Sequence, residues 1–191
     1  MKMGRSKIVS DETLLDRLLG AIQEAGPGEL TFSRASQAAG LATATLVQRF
    51  RTRDAMIEAA LLHAWDKLDA ATAAADSEAP EGAAGAVALL MQLMPVDAAA
   101  YTVTDGLYLL REDMRNPVLR ERGRAWGHTL AMALGRRLTG QRDAAEKLGW
   151  QMASVWQGAL IWWGFTRDTK SEIVIQTMLE DWCRTAVRRC Q

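Results

Sequence analysis

The chain has 191 residues and a mass of 21.0 kDa, of which 49% are hydrophobic and 24% charged, enough to bury a sizeable core and too apolar for a disordered chain. Glycine and proline number 15 and 4, which excludes collagen-like and low-complexity classes, and the two cysteines exclude a disulfide scaffold. With 23 basic and 23 acidic side chains the net charge is zero, so global charge gives no pull toward nucleic acid or a membrane surface.

The chain reads as helix throughout, with Pro27, Pro80, Pro95 and Pro117 at element boundaries. A first helix is expected over 11–25, where Leu14, Leu15, Leu18, Leu19 and Ile22 form a stripe and Gly26-Pro27-Gly28 stops it. Short helices follow over about 32–39, with Thr31 as N-cap and Gly40 as left-handed exit, and over about 43–49. A long helix starts near Arg53 and reaches Asp76, with Met56, Ala60, Leu61, Ala64 and Leu68 on one side. Five more are expected over about 82–94, 97–114, 117–138, 143–165 and 170–189. The stretch Gly149–Thr166 has 18 residues and no charge. It has the length of a membrane span, but Gln151, Ser154, Gln157 and three glycines interrupt it, so it reads as a helix covered by protein on most faces. No cationic-then-apolar leader opens the sequence, and Cys183 and Cys190 lie seven apart in one helix, about 10 Å of rise, so both read as reduced thiols of a cytoplasmic protein.

Charge is uneven along the chain. Residues 31–53 carry Arg34, Arg49, Arg51 and Arg53 and no acid, whereas 55–110 carry one basic and eight acidic residues. The basic stretch, TFSRASQAAGLATATLVQRFRTRD over 31–54, has the composition of a helix-turn-helix. Ala35, Ser36 and Ala39 are small where a second helix must cross, and Gly40 permits positive φ in the turn. Leu41 and Leu46 face the first helix, and Phe50 closes the base. That leaves Thr43, Ala44, Thr45, Val47, Gln48 and Arg49 facing outward, on a helix that fits the major groove of duplex DNA. Thr methyls suit thymine, Gln48 suits adenine, and Arg49 and Arg53 suit phosphates. The full candidate DNA-contact set is Thr31, Arg34, Thr43, Ala44, Thr45, Val47, Gln48, Arg49 and Arg53. The plainer reading is an αα-corner with solvated arginines.

Segment 11–63 resembles the DNA-binding domain of TetR-family transcriptional regulators. The matching residues are Thr31, Ala39, Gly40, Leu41, Thr45, Leu46, Phe50, Arg53, Asp54, Met56 and Ile57. The stretches LREDMRNPVLRERGRAW and WQGALIWWGFTRD resemble passages of that family's regulatory domain. Departures are Ala42 where the family has a capping Ser, making Thr43 the substitute cap, and Val47 where it has a phosphate-touching Tyr. The resemblance implies an all-α protein of about nine helices. A three-helix DNA-binding unit spans 1–54, opening with an arm over about 1–10, and a long helix joins it to a ligand-binding and dimerisation unit over 55–191. It also implies a repressor that a small molecule releases from DNA.

A single helix-turn-helix reads few bases, so a homodimer on a palindrome is expected. The last two helices supply the interface candidates Trp162, Trp163, Met178 and Trp182, with an intrachain core as the alternative. Met91, Tyr101, Tyr108, Trp126, Met152 and Trp156 are candidate contacts for a hydrophobic or aromatic effector, or else plain core, with His128 as a polar partner. Neither metal nor cofactor is implied. No H-E-x-x-H, C-x-x-C, phosphate loop or G-x-S-x-G occurs, which argues against an enzyme. A helical partner-binding protein of the same fold, with DNA binding weak or lost, is the alternative function.

Overall fold

The computed structural model describes the backbone of residues 9–94, 103–167 and 169–186, and their side chains except at 103–106 and 108. Among these residues there are nine α-helices and no strand: α1 Asp11–Ala25, α2 Phe32–Ala39, α3 Thr43–Phe50, α4 Arg53–Glu78, α5 Gly82–Gln92, α6 Val103–Arg115, α7 Pro117–Leu138, α8 Arg142–Thr166 and α9 Ser171–Ala186. A 3₁₀ turn at Pro27–Glu29 links α1 to α2. Residues 97–102 of the expected sixth helix lie outside the described residues.

Local chemistry sets the boundaries. Ser10 Oγ accepts the Thr13 N–H at 3.2 Å, with Asp11 and Glu12 in the first turn of α1, where the helix dipole favours negative charge. Thr52 Oγ1 caps α4 through the Ala55 N–H at 3.1 Å. Asn116 Oδ1 caps α7 through Val118 and Leu119, with Pro117 at the first position.

Two hydrophobic clusters form. The first gathers Leu14, Leu18, Ile22, Leu30, Ala35, Ala39 and Leu46 with Met56, Ile57, Ala60 and Leu61 of α4, and also takes Leu119 from α7. The head core therefore runs past residue 54 into the first two turns of α4. The second cluster gathers α5, α7, α8 and α9 around Leu89, Leu90, Trp126, Leu134, Met152, Trp156, Ile175 and Leu179. Trp65 packs against both. Its indole N–H donates to Asp113 Oδ1 at 3.0 Å, and its ring lies 5.8 Å from that of Trp126. Burial pushes the Asp113 carboxyl above its usual range; the Trp65 hydrogen bond opposes this and neighbouring Glu112 adds to it.

Helices α7 and α8 approach along small residues. A Cβ on Gly135 would fall 2.0 Å from the Ala145 carbonyl oxygen, and one on Gly149 would fall 1.8 Å from that of Ala131. Arg137, with 3% of its side chain exposed, ties the α4–α5 corner to α7. It donates to Asp76 Oδ1 at 2.5 Å and to the carbonyls of Asp76, Ala79, Pro80 and Ala133. No helix among the described residues is long and apolar enough to cross a membrane.

Candidate nucleic-acid interface

The turn between α2 and α3 is built as its glycine requires. Gly40 sits at φ +66°, ψ 31°, and its N–H donates to the Ser36 carbonyl at 3.0 Å. Ser36 Oγ donates to the Leu41 carbonyl at 2.6 Å, closing the turn from the other side. Arg17 of α1 donates to the Ala39 carbonyl at 2.6 Å, at the C-terminal end of α2 where acceptors lack intrahelical partners. Thr31 caps α2 by accepting the Arg34 N–H at 3.2 Å. These contacts hold α3 at a set angle to the head.

Only Leu46 of α3 is buried; Phe50 is half-buried, and Thr43, Ala44, Thr45, Val47, Gln48 and Arg49 are all exposed. Thr31 and Arg34 are exposed on the adjoining helix. All the expected contact residues except Arg53 are thus exposed on α3 or beside it, at the start of α2.

Arg53 is held by backbone carbonyls and departs from the expected phosphate contact. Its Nε donates to the Leu30 carbonyl at 2.8 Å, and one terminal nitrogen donates to those of Pro27 at 2.5 Å and Gly28 at 2.7 Å. The guanidinium therefore clamps the α1–α2 connection to the start of α4 and is not a free phosphate contact. Arg49 ion-pairs with Asp11 and lies 5.9 Å from the centre of the Phe50 ring, and Arg34 pairs with Glu29 at 3.4 Å. Such exposed pairs are weak and exchange readily for phosphate. Thr43 is not the cap of α3: the N-cap position is Ala42, which offers no side-chain acceptor, and Thr43 is the first helical residue.

Arg51 follows α3 at φ +67°, ψ −53°, with the Thr52 N–H donating back to the Phe50 carbonyl at 2.7 Å. This is a positive-φ γ-turn, a strained geometry for a residue with a Cβ. Arg51→Gly is expected to raise stability by about 1 kcal/mol in urea unfolding. A loss of stability would mean that the Arg51 side chain contributes more than its backbone strain costs.

The regulatory half meets the head at the α6–α7 corner. Asn116 Nδ2 donates to Glu58 Oε2 of α4 at 2.6 Å, and Leu119 enters the head core. Asp16 of α1 accepts from Lys67 at 2.7 Å and binds His63 Nε2 at 2.9 Å, so His63 bridges α1 and α4. Neither Trp65 nor Asn116 stood out in the sequence, because their partners lie 48 and 58 residues away.

Of the effector candidates, Trp126, Met152 and Trp156 are buried in the second core, and Met91 packs half-buried against it. Tyr101 and the side chain of Tyr108 lie outside the described residues. Trp126 donates to Thr72 Oγ1 at 2.9 Å. The Trp156 indole N–H, by contrast, finds no acceptor among the described residues. His128 is exposed and pairs with Glu146 at 3.2 Å, away from that core. Of the interface candidates, Trp162 is 67% exposed and Met178 42%. Trp163 and Trp182 are half-buried; Trp163 donates to the Thr169 carbonyl at 2.8 Å and braces the α8–α9 turn. Phe165, 77% exposed with its ring 5.7 Å from that of Trp162, extends the bare face, as do Ile173 and Trp150. The uncharged stretch of α8 is therefore uncovered along one side within a single chain.

A braced helix-turn-helix, joined by one long helix to an all-helical body, defines the class: an all-α helix-turn-helix fold. More particularly, the chain has the fold of TetR-family transcriptional regulators. No family model and no curated protein sequence matches it. Among solved structures it is similar to a transcriptional regulator from Rhodococcus sp. Rha1, at 21% identity over 94% of this chain and 97% of that one, with a TM-score of 0.75. It is similar to a TetR-family transcriptional regulator from Streptomyces coelicolor, at 20% identity over 95% and 97%, with a TM-score of 0.63. A TetR transcriptional regulator from Legionella pneumophila aligns at 14% identity over 95% and 98%, with a TM-score of 0.64. Each of these neighbours is described as a transcriptional regulator.

Proposed function

We propose that this protein is a ligand-responsive transcriptional repressor that binds a palindromic operator as a homodimer and leaves it when a small hydrophobic or aromatic effector binds. The observation that carries this reading is α3 itself. It is a short helix on a rigid turn with one buried residue and six exposed side chains suited to a major groove. Its first N–H groups have no side-chain cap, which leaves them open to a phosphate oxygen.

The bare apolar face of α8 and α9 supports the dimer. Trp162, Phe165, Ile173 and Met178 are large apolar side chains left exposed in the single chain, and a second copy would cover them. The effector reading is supported by the apolar core around Met152 and Trp156, where the Trp156 N–H finds no acceptor among the described residues. A ligand there would be mostly apolar with an acceptor for that N–H. Its signal would reach the head through α4 and the Asn116–Glu58 corner, and only a ligand that favours one of two head spacings can deliver it. In the dimer the spacing to match is about 34–36 Å, one turn of DNA.

Gel retardation with genomic fragments tests the reading. The Gln48→Ala/Arg49→Ala variant should lose retardation by tenfold or more, roughly one bidentate base contact and one phosphate charge, at unchanged helicity by circular dichroism. Unaltered binding in that variant would remove α3 from the interface. No retardation with any fragment would favour the partner-binding alternative, which the uncapped Ala42 and the apolar Val47 support. Trp162→Asp should shift the mass from dimer to monomer in sedimentation at micromolar concentration, and a monomeric parent protein would defeat the proposed bundle.

A further inference from the structure

Resting on the reading that α3 enters a major groove, we propose that the head is an A·T reader: Gln48 addresses adenine, and a methyl-bearing surface of Ala44, Thr45 and Val47 addresses thymine. The geometry of α3 carries this. At 3.6 residues per turn, Ala44 and Gln48 lie about 160–200° around the helix from buried Leu46, and Thr45 and Val47 about 100° to either side. These four are the outermost side chains, and all are exposed. Ala44, Thr45 and Val47 carry methyl groups, Thr45 a hydroxyl as well, and Gln48 a carboxamide. Val47 is 41% exposed, and its methyl groups would fit against a C5-methyl group.

The arginines, which could read guanine, are engaged elsewhere. Guanine offers two acceptors in the major groove, matched by Arg or Lys, whereas adenine offers an acceptor and a donor, matched by a carboxamide. Arg49 lies about 60° from Leu46, turned back along the head, where it meets Asp11 and the Phe50 ring. Arg34 pairs with Glu29, Arg17 holds the Ala39 carbonyl, and Arg53 holds three carbonyls. Arg51 follows the last turn of α3, about 12 Å along the axis from Thr43, at the end that meets the backbone. Among the described residues, arginine thus serves position and phosphate, while the base-facing surface presents methyls and one amide.

The test starts from selection of random duplexes by the full-length protein, followed by two replacements in the enriched site. Deoxyuridine in place of thymidine removes only the C5-methyl group; 7-deazaguanine removes a guanine acceptor. We expect half-sites composed mainly of A·T pairs, an affinity loss of about fourfold for each contacted methyl removed, and no change with 7-deazaguanine. Gln48→Ala should abolish discrimination at one A·T pair while the other positions keep theirs. Tight binding to G·C-rich half-sites, or indifference to deoxyuridine, would overturn the A·T assignment and leave DNA binding standing. Failure to select any duplex would instead overturn the regulator reading, and this inference with it.

Discussion

Replacing Gly149 with leucine is expected to cost about 3 kcal/mol or more, enough to unfold a large fraction of the protein at physiological temperature. A Cβ at this position would sit 1.8 Å from the Ala131 carbonyl oxygen and 2.6 Å from its carbon. Both are backbone atoms in the middle of α7, so no side chain can swing aside, and the two helices must part. The same contact recurs one turn away, where Gly135 meets the Ala145 carbonyl. Separating the helices would strip contacts from Met152, Ala153 and Leu130, all buried in the same core. Urea unfolding of Gly149→Leu beside Gly20→Ala gives the comparison. Gly20 lies inside α1 with no atom within 4 Å of an added Cβ, so alanine there should add about 0.5–1 kcal/mol by helix propensity. Equal stability of the two variants would mean that α7 and α8 do not approach as closely as described.

Arg137→Met should be nearly as damaging, at about 3 kcal/mol, because it leaves the carbonyls of Asp76, Ala79 and Pro80 without their donor and the half-buried Asp76 carboxylate with only the half-exposed Arg136. Arg136, half-exposed on the same carboxylate of Asp76, is the natural comparison, and Arg136→Met should cost less than about 1 kcal/mol. The pair also sets a pH dependence. Burial alone would raise the Asp76 pKa, but the hydrogen bonds from Arg136 and Arg137 outweigh it and hold the carboxyl below its ordinary 3.8. A depressed folded-state pKa contributes stability above the unfolded value that disappears as pH falls through the folded one. Stability of the parent should therefore fall with acid below about pH 4. Asp16 adds in the same direction, its carboxyl lowered by hydrogen bonds to Lys67 and His63. In Arg137→Met the acid-side loss should be shallower. An equally steep loss would show that Asp76 titrates independently of Arg137.

Both predictions concern how the head is carried. Arg137 fastens the far end of α4 to α5 and α7, while Asn116 and Leu119 fasten its near end to the α6–α7 corner. α4 is thus held at both ends by the regulatory half and forms part of the head core itself. A change in packing among α5 to α8 has a short mechanical route to α3. In the proposed dimer, the same α8 whose inner side meets α7 at Gly149 presents Trp162 and Phe165 outward.

The sequence by itself determined the helices and the helix-turn-helix. Leucines at helical spacing, Thr31 and Gly40 at the ends of α2, and Pro117 at the start of α7 act within a turn or two of themselves, so their effect is readable without knowing the fold. Gly40 adopts the positive φ that the turn needs, and α3 exposes the side chains that its spacing predicts. What only the tertiary structure decided was each residue's distant partner. Arg53 and Arg49 look alike as basic side chains beside α3, yet carbonyls 23 to 26 residues away claim Arg53 for the scaffold. Trp156 and Trp162 share one uncharged helix, and the packing of α7 and α9 leaves the first 5% and the second 67% exposed. Helix formation responds to near neighbours along the chain, whereas burial and hydrogen-bond partnership depend on which elements topology brings together.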